Sequence, residues 1–454
     1  MGHVRITPIE GASMARFPEG FLIGAATAAH QVEGGNTHSD AWVAESLPHS
    51  TYLERSGAAV DHWGRFEEDI ALLADAGLNA YRFSIEWARV EPEEGRFDDG
   101  ALAHYTSVID ACRKRGVEPV VTLLHFTSPA WLIREGGWES PATVGRYERY
   151  VRHVLAALGE RLSWVCTINE ANMGIQVARL TERYTRLMGT AATRAGSERG
   201  GSVEGQVQMG LNLEGMLERQ RFLASEYAET FGTSEPAFFT AGRSEASDRL
   251  VMDAHRAAVA AVREFAPNAK VGLTLSLHDI QALPGGEERA AAEWEEEFVH
   301  YLPVIAGDDF IGVQNYARTV VGPDGLVDLD PTSMELTQGG YEYYPAALEH
   351  VVRSVAKRFD GDIFVTENGY AGEDDRRRVD FLGEALSGLM RCVADGLPVV
   401  GYTCWSLLDN FEWQKGFGPK FGLVAVDRLT QRRTPKPSLA YLGSWAPERK
   451  AVEH

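Results

Sequence analysis

The sequence predicts an α/β fold, a single (β/α)8 barrel with long insertions in its βα-loops. Three observations predict it. Short strand-like runs alternate with helical stretches along most of the 454 residues. Several of these runs, such as Ile363-Phe364-Val365, are apolar without alternation, which suits parallel strands covered on both faces. Most runs also end in polar residues, as they do where a parallel barrel carries its chemistry on the C-terminal face. An open doubly wound sheet would instead place a G-x-G-x-x-G turn after the first strand, and none is present.

The first strand is expected over residues 21–26, with Gln31 and Glu33 on the loop behind it. Phe66, Ile70, Leu73 and Ala76 then recur at helical spacing, and Gly77 can stop that helix. A second strand, 80–84, carries Arg82. Residues 100–115 read as helix up to Gly116, and the third strand, 119–124, delivers His125. A helix over 147–158, closed by Gly159, leads to a fourth strand at 163–170 that ends in Asn169 and Glu170. Residues 248–265 are helical before Pro267, 271–275 form the fifth strand and 310–316 the sixth, ending at Tyr316. A helix over 345–358 precedes the seventh strand, 363–369, which presents Glu367. A helix at 376–395, an eighth strand at 399–405 ending in Trp405, and a helix at 438–444 complete the chain.

Residues 1–13 are expected to be an extension before Met14, and 14–454 one barrel domain. Two segments exceed ordinary loop lengths. Residues 172–247 form an insertion after the fourth strand, helical over 207–231 and mobile over the Gly-, Ser-, Thr- and Arg-rich stretch 189–206. Such loops are commonly lids, and its origin directly after Glu170 puts it over the leaving-group side of the cleft. Residues 318–344 contain Pro323-Asp324-Gly325 between apolar residues, which reads as a hairpin.

A net charge of −21 excludes nucleic acid and anionic membrane surfaces as partners, because phosphates would be repelled. No apolar run approaches the ~18 residues of a membrane span, and no secretory leader pattern is visible, so a cytoplasmic protein is expected. Cys112, Cys166, Cys392 and Cys404 show no C-x-x-C spacing and read as reduced, packed thiols. No cofactor and no metal are expected, since His125 is alone among strand ends and no H-x-H occurs.

Two strand-end glutamates, on strands four and seven of eight, face each other across a barrel. Glycoside cleavage needs such a pair: one carboxylic acid protonates the leaving oxygen and, in retaining enzymes, the other carboxylate attacks the anomeric carbon from ~5–5.5 Å away. Arg82 is expected beside Glu367, keeping it ionised.

At these residues the sequence resembles glycoside hydrolase family 1, the β-glucosidase family of retaining (β/α)8 enzymes, with motifs from Phe17 to Leu439. The match to Thr-Ile-Asn-Glu implies Glu170 as acid/base, and the match to Val-Thr-Glu-Asn-Gly implies Glu367 as nucleophile. The resemblance of 21–34 to the opening motif implies that Gln31 bonds sugar hydroxyls. It further implies a sugar-binding role for His125, contact of Asn169 with the 2-hydroxyl and a hydrogen bond from Tyr316 to the nucleophile. The stretch 405–413 implies Trp405 stacking under the ring, Glu412 bridging two hydroxyls and Trp413 contacting another, while Phe421 matches an aromatic near the 6-position. Sugars offer apolar faces and many hydroxyls, so Trp405 and Trp413 as platforms and Glu412, Gln31 and Asn169 as planar polar groups suit them. Trp87, Trp131, Trp138 and Trp164 read as packing residues, and His62 and His104 as structural.

The implied activity is hydrolysis of terminal β-linked sugars, with a small β-glycoside or oligosaccharide as partner and the oligomeric state open. A transglycosidase would use the same glutamates, whereas a non-catalytic sugar-binding protein needs neither. Glu170 in place of Gln argues against a thioglucosidase, and the intact Glu412-Trp413 pair against a phosphorylated substrate. The sequence departs from the family at Ala171, at Phe126-Thr127-Ser128 and at Gln314-Asn315, which bears on sugar preference and the leaving-group side.

Overall fold

The structure is a computed structural model that describes residues 16–191, 208–328 and 330–448. The expected extension 1–13 lies outside the described residues, as does most of the 189–206 stretch.

Eight parallel strands close into a barrel: β1 (Leu22–Ala26), β2 (Ala80–Ser84), β3 (Glu118–Thr122), β4 (Trp164–Cys166), β5 (Lys270–Ser276), β6 (Phe310–Gln314), β7 (Asp362–Asn368) and β8 (Val399–Trp405). Each pairs with its neighbour in the chain, and β1 also pairs with β8, Ala26 opposite Trp405. A long helix follows each strand in turn: α1 (His62–Asp75), α2 (Asp99–Lys114), α3 (Ala142–Leu158), α4 (Glu245–Phe265), α5 (Glu287–Glu297), α6 (Ala347–Val355), α7 (Asp375–Ala394) and α8 (Pro437–Ser444).

These helices form where apolar residues recur on one face and side chains cap the ends. In α7, Phe381, Ala385, Leu389 and Cys392 are buried, and Asp374 caps it by accepting from the Arg376 N–H. Asp98 caps α2 likewise. Gly77 and Gly116 adopt positive φ just past α1 and α2, as a C-terminal stop requires. Gly159 instead continues into a short 3-10 turn. Trp87 and Trp138 are buried in the core, His62 bonds Asp69 and Tyr81, and the four cysteines are buried and unpaired.

Inside the barrel the side chains change character with height. The lower layer is an apolar plug of Val120, Cys166, Phe310 and Phe364. Above it the inward positions are Arg82, Thr274, Gln314, Thr366 and Thr403, buried and polar. The plug excludes water from below, so each of these groups must find its partners within the barrel mouth.

The excursions differ from the sequence reading. β4 ends at Cys166 rather than Glu170, because Glu170 takes a left-handed φ of 44°. The insertion holds helices Met173–Ala191 and Leu213–Phe231, the first unexpected and the second beginning later than 207. The hairpin pairs Arg318–Gly322 with Gly325–Leu326 around Pro323-Asp324, and a further strand, Asp279–Ala282, joins it in parallel. Four residues with one clear apolar member gave that strand no readable pattern. Among the described residues no helix is long and apolar enough to cross a membrane.

Gly24 shows how tightly β1 and β2 close. A Cβ there would lie 1.8 Å from the Ala80 carbonyl oxygen, a backbone atom that cannot yield. Gly24→Ala is expected to destabilise the barrel by about 3 kcal/mol or more. Thermal melting and soluble yield check this, and an unchanged melting temperature would show slack in that pairing.

Candidate active site

Glu367 reaches the barrel mouth through an irregularity in its strand. The β7 register shifts against β6 between Val365 and Glu367, and against β8 between Val365 and Asn368. Such a bulge re-aims a side chain at the rim of a sheet. The carboxylate is then held at both oxygens. Arg82 Nη1 donates to Oε1, Gln314 Nε2 donates to Oε1 at 3.1 Å, and the Tyr316 hydroxyl donates to Oε2 at 2.6 Å.

The same groups fix Asn169. Its Oδ1 accepts from Arg82 Nη2 at 2.5 Å and from Gln314 Nε2 at 2.7 Å. That leaves Asn169 Nδ2 to donate to His125 Nε2, 3.2 Å away. Burial and the Arg82 charge push the His125 pKa well down, so the ring is neutral. With Nε2 accepting, its proton sits on Nδ1, a buried atom without a partner among the described residues.

Glu170 stands opposite on the β4 side. Its backbone N–H donates to Thr274 Oγ1 at 3.0 Å, and Ala171 N–H to the Thr274 carbonyl at 3.0 Å. The left-handed φ of Glu170 is uncommon for a residue with a side chain and is held by these contacts. Phe126 and Trp413, also at the mouth, share that feature with φ of 68° and 47°.

Burial raises both carboxyl pKa values, but unequally. For Glu367 the charge of Arg82 and the hydrogen bonds from Tyr316 and Arg82 oppose the desolvation. Those groups do not bring it below the usual range, as the sequence suggested, because burial outweighs them. Glu170 lies well above the usual range, raised by burial and then by the negative charge of Glu367. The pair therefore holds its last proton on the Glu170 side.

Beyond the pair, Gln31 Nε2 donates to the Phe411 carbonyl at 2.7 Å and to Glu412 Oε2 at 3.2 Å, leaving Gln31 Oε1 buried and without a partner among the described residues. Glu412 is raised to about 8 by burial and by Glu367, against a hydrogen bond from Trp405. Trp405 stacks near His125, with centroids 5.7 Å apart, and the Phe421 ring meets Tyr316 edge-on at 6.0 Å. A cavity of about 280 Å³ lies among these side chains. Arg82 and Asn169 sit beneath it, and the other site residues predicted from sequence line it.

Several members were not predicted. Gln314 appeared only as a departure from the family pattern, yet it links Glu367 to Asn169. Thr274 shares a face of β5 with Gly272 and Ser276, alternating with Leu273 and Leu275, and so was legible as an inward position. Gln208 bridges two strand ends, accepting from the Tyr316 N–H at 2.5 Å and donating to Ser276 Oγ at 2.7 Å. Gln208, Met209 and Tyr341, which line the cavity, come from long excursions where no sequence pattern marks them.

The arrangement can do acid–base and nucleophilic chemistry on a polar ring laid between aromatic faces and unpartnered donors and acceptors. Comparison with known proteins agrees with that. The chain matches the description "Glycosyl hydrolase family 1" over residues 13–186 and 313–450. It is 30% identical to a beta-glucosidase of Agrobacterium sp. over 488 residues, covering 95% of this chain and 94% of that one. It superposes on the crystal structure of beta-glycosidase BGL167 with a TM-score of 0.81 and 42% identity, over 96% of this chain and 100% of that one. The beta-glucosidase from Thermotoga maritima in complex with deoxynojirimycin aligns with a TM-score of 0.76 and 25% identity, over 96% and 100% of the two chains. The family match takes in the Asn169-Glu170 segment, the end of β6 and the whole of β7 and β8, and on it the chain is a glycoside hydrolase belonging to glycosyl hydrolase family 1.

Proposed function

We propose that the protein is a β-glucosidase-like retaining β-glycosidase that removes terminal β-linked sugars in two displacements. The observation that carries this is the asymmetry of the carboxyl pair. Glu367 is held by a cation and a phenol at its two oxygens, while Glu170 keeps a proton under the field of Glu367. In the first step Glu367 attacks the anomeric carbon, the bond to the leaving oxygen breaks, and Glu170 gives that oxygen its proton. In the second step water attacks the same carbon as the bond to Glu367 breaks, and Glu170 takes the water's proton. Once Glu367 is esterified its charge is gone, so Glu170 ionises more readily and suits its second role.

On this reading Gln31 Oε1, the His125 Nδ1–H and Glu412 bind the sugar's hydroxyls, Trp405 and Trp413 bind its faces, and Phe421 lies by its outer carbon. The buried Gln31 Oε1 and His125 Nδ1, without partners among the described residues, support their part of that assignment. Asn169 is held ready for the 2-hydroxyl by Arg82 and Gln314. Residues 14–454 act as one catalytic domain, with 172–247 and 318–344 as its rim. Four buried, unpaired cysteines fit a reducing, cytoplasmic setting. The partner is a small β-glycoside or oligosaccharide, and the names of the relatives lend no support to the transglycosidase alternative.

Glu367→Ala is expected to lose turnover by roughly 10⁴-fold or more. Azide should restore part of it and yield the α-glycosyl azide, whereas the wild type should first form the β-sugar, both read by NMR. An α-sugar from the wild type would sink the retaining assignment.

Glu170→Gln should lose the alkaline limb of kcat/KM, which in the wild type reports the last proton of the pair. The variant should slow far more on a poor leaving group than on a nitrophenol. Equal slowing on both would remove Glu170 as the acid.

Glu412 makes a pH-dependent contribution to stability. Unfolded, it loses its proton near 4.5; folded, it keeps the proton up to about 8. The stabilisation is therefore complete below the unfolded value and is lost as pH rises through the folded one. Melting of Glu412→Gln should fall less between about pH 5 and about pH 8 than melting of the wild type. Parallel curves would show that Glu412 is ionised in the free enzyme.

A further inference from the structure

A second cavity, of about 530 Å³ against about 280 Å³ for the sugar cavity, lies behind the sugar site. The two cavities share only Phe126, Met209 and Trp413. None of Glu170, Glu367 and Tyr316 lines the second one. A leaving group must lie within reach of Glu170, so this space is on the other side of the bound sugar.

Its chemistry is that of a carbohydrate site. Tyr227 and Phe238 join Phe126 and Trp413 as aromatic walls. Asp40, buried at 3% exposure, uses Oδ1 to accept from the Ser128 and Ala41 N–H groups at 3.0 and 2.7 Å. Its Oδ2 has no hydrogen-bond partner among the described residues. Gln414 uses Oε1 to accept from the Asn212 N–H at 2.8 Å, and its Nε2 likewise has no partner among the described residues. A free carboxyl oxygen and a free amide donor therefore border the same space as the aromatic rings, the combination that binds a ring of hydroxyls. The partition from the first cavity includes Met209, an unbranched side chain that can swing aside. Thr240 and Gln414 also border a larger hollow along the insertion, of about 2220 Å³, which gives a long substrate room to enter.

We propose that this cavity is a second sugar subsite, which takes a sugar ring carried by the terminal glycosyl unit, so that the enzyme also releases whole disaccharides from their β-glycosides. The reaction is the same hydrolysis: the bond from the disaccharide's anomeric carbon to the leaving oxygen breaks, and one water is consumed. The inference rests on the β-glycosidase reading above.

The test compares nitrophenyl β-glucoside with the nitrophenyl β-glycosides of the 2-, 3-, 4- and 6-linked glucose disaccharides, following first products by chromatography. At least one disaccharide glycoside should release nitrophenol together with intact disaccharide. Asp40→Asn keeps the oxygen that serves Ser128 and Ala41, and Gln414→Glu keeps the oxygen that serves Asn212 while removing the free amide donor. Each should lower kcat/KM on that substrate about tenfold while changing nitrophenyl β-glucoside by less than about twofold. If every disaccharide glycoside first loses free glucose, or none reacts while the monosaccharide glycoside is turned over, the subsite is overturned and the β-glycosidase reading stands. Equal losses on both substrates in both variants assign Asp40 and Gln414 to the fold and also overturn it. Inactivity on all five glycosides removes both readings.

Discussion

The site depends on one buried charge. Arg82 projects from β2 into the barrel with no solvent exposure. Stranding a guanidinium there would cost several kcal/mol unless it were paired and hydrogen-bonded. It is paired with Glu367 and bonded to Asn169, and these belong to strands on opposite sides of the barrel. A single cation on the axis thus fixes both halves of the mouth relative to each other. Gln314 repeats the link from β6, touching the same two residues. Neither partner can move without exposing an uncompensated charge, which is how a barrel keeps reacting groups in register.

That arrangement also sets the protonation states. Three buried carboxyls, Glu170, Glu367 and Glu412, share one mouth with Arg82, and His125 adds no charge because it is neutral. The charge of Arg82 goes to Glu367 through direct contact. Glu170 and Glu412 are buried and both feel Glu367, which outweighs Arg82 at Glu170 and Lys415 at Glu412, so each is pushed toward its protonated form. The acid is thus made by the same negative charge that would act as nucleophile. The proton on Glu412 has a further consequence: a neutral carboxyl both donates and accepts, which suits a pair of sugar hydroxyls better than an acceptor alone.

The sequence made the barrel legible because its strands are short apolar runs and its helices are strongly periodic. All eight strands appeared where expected, with β4 the least well bounded, since its last residues leave extended geometry to aim Glu170. Glu170 and Glu367 were legible because each ends an apolar run, and Arg82 because a charge inside such a run demands a partner. The residues proposed to bind the sugar came from the resemblance rather than from spacing. What stayed hidden was set by tertiary contact. Gln208 and Met209 enter the mouth from the non-helical stretch before the Leu213–Phe231 helix, and Gln314 gains its role only once the ends of β4 and β7 stand around β6. The level of the Glu367 pKa was also out of reach, because the depth of burial that offsets Arg82 is a property of the whole barrel mouth.

The division between strands and loops says where specificity can change. Groups that touch Glu367 and Asn169 come from strands or from the residues just past them, and altering them disturbs the buried charge. The segment from Gln208 to Asn212 is tied in differently. A Cβ on Gly210 would come within 2.5 Å of the Glu412 carbonyl, so the segment lies directly on that turn. Gln414 N–H donates to the Gly210 carbonyl at 3.0 Å, and Asn212 N–H donates back to the Gln414 side chain at 2.8 Å. The insertion is thus fastened to the loop that carries Glu412 and Trp413, and its side-chain links to the reacting side include those of Asn172, Gln176 and Gln208 to Ser276, of Gln208 to the Tyr316 backbone and of Arg243 to the Ala171 carbonyl. A change in the insertion can reshape the walls around the sugar through Met209 and Gln414 without entering the Arg82 network. Conversely, a change in glycon preference that works through Glu412 or Trp413 must also shift the insertion packed upon them.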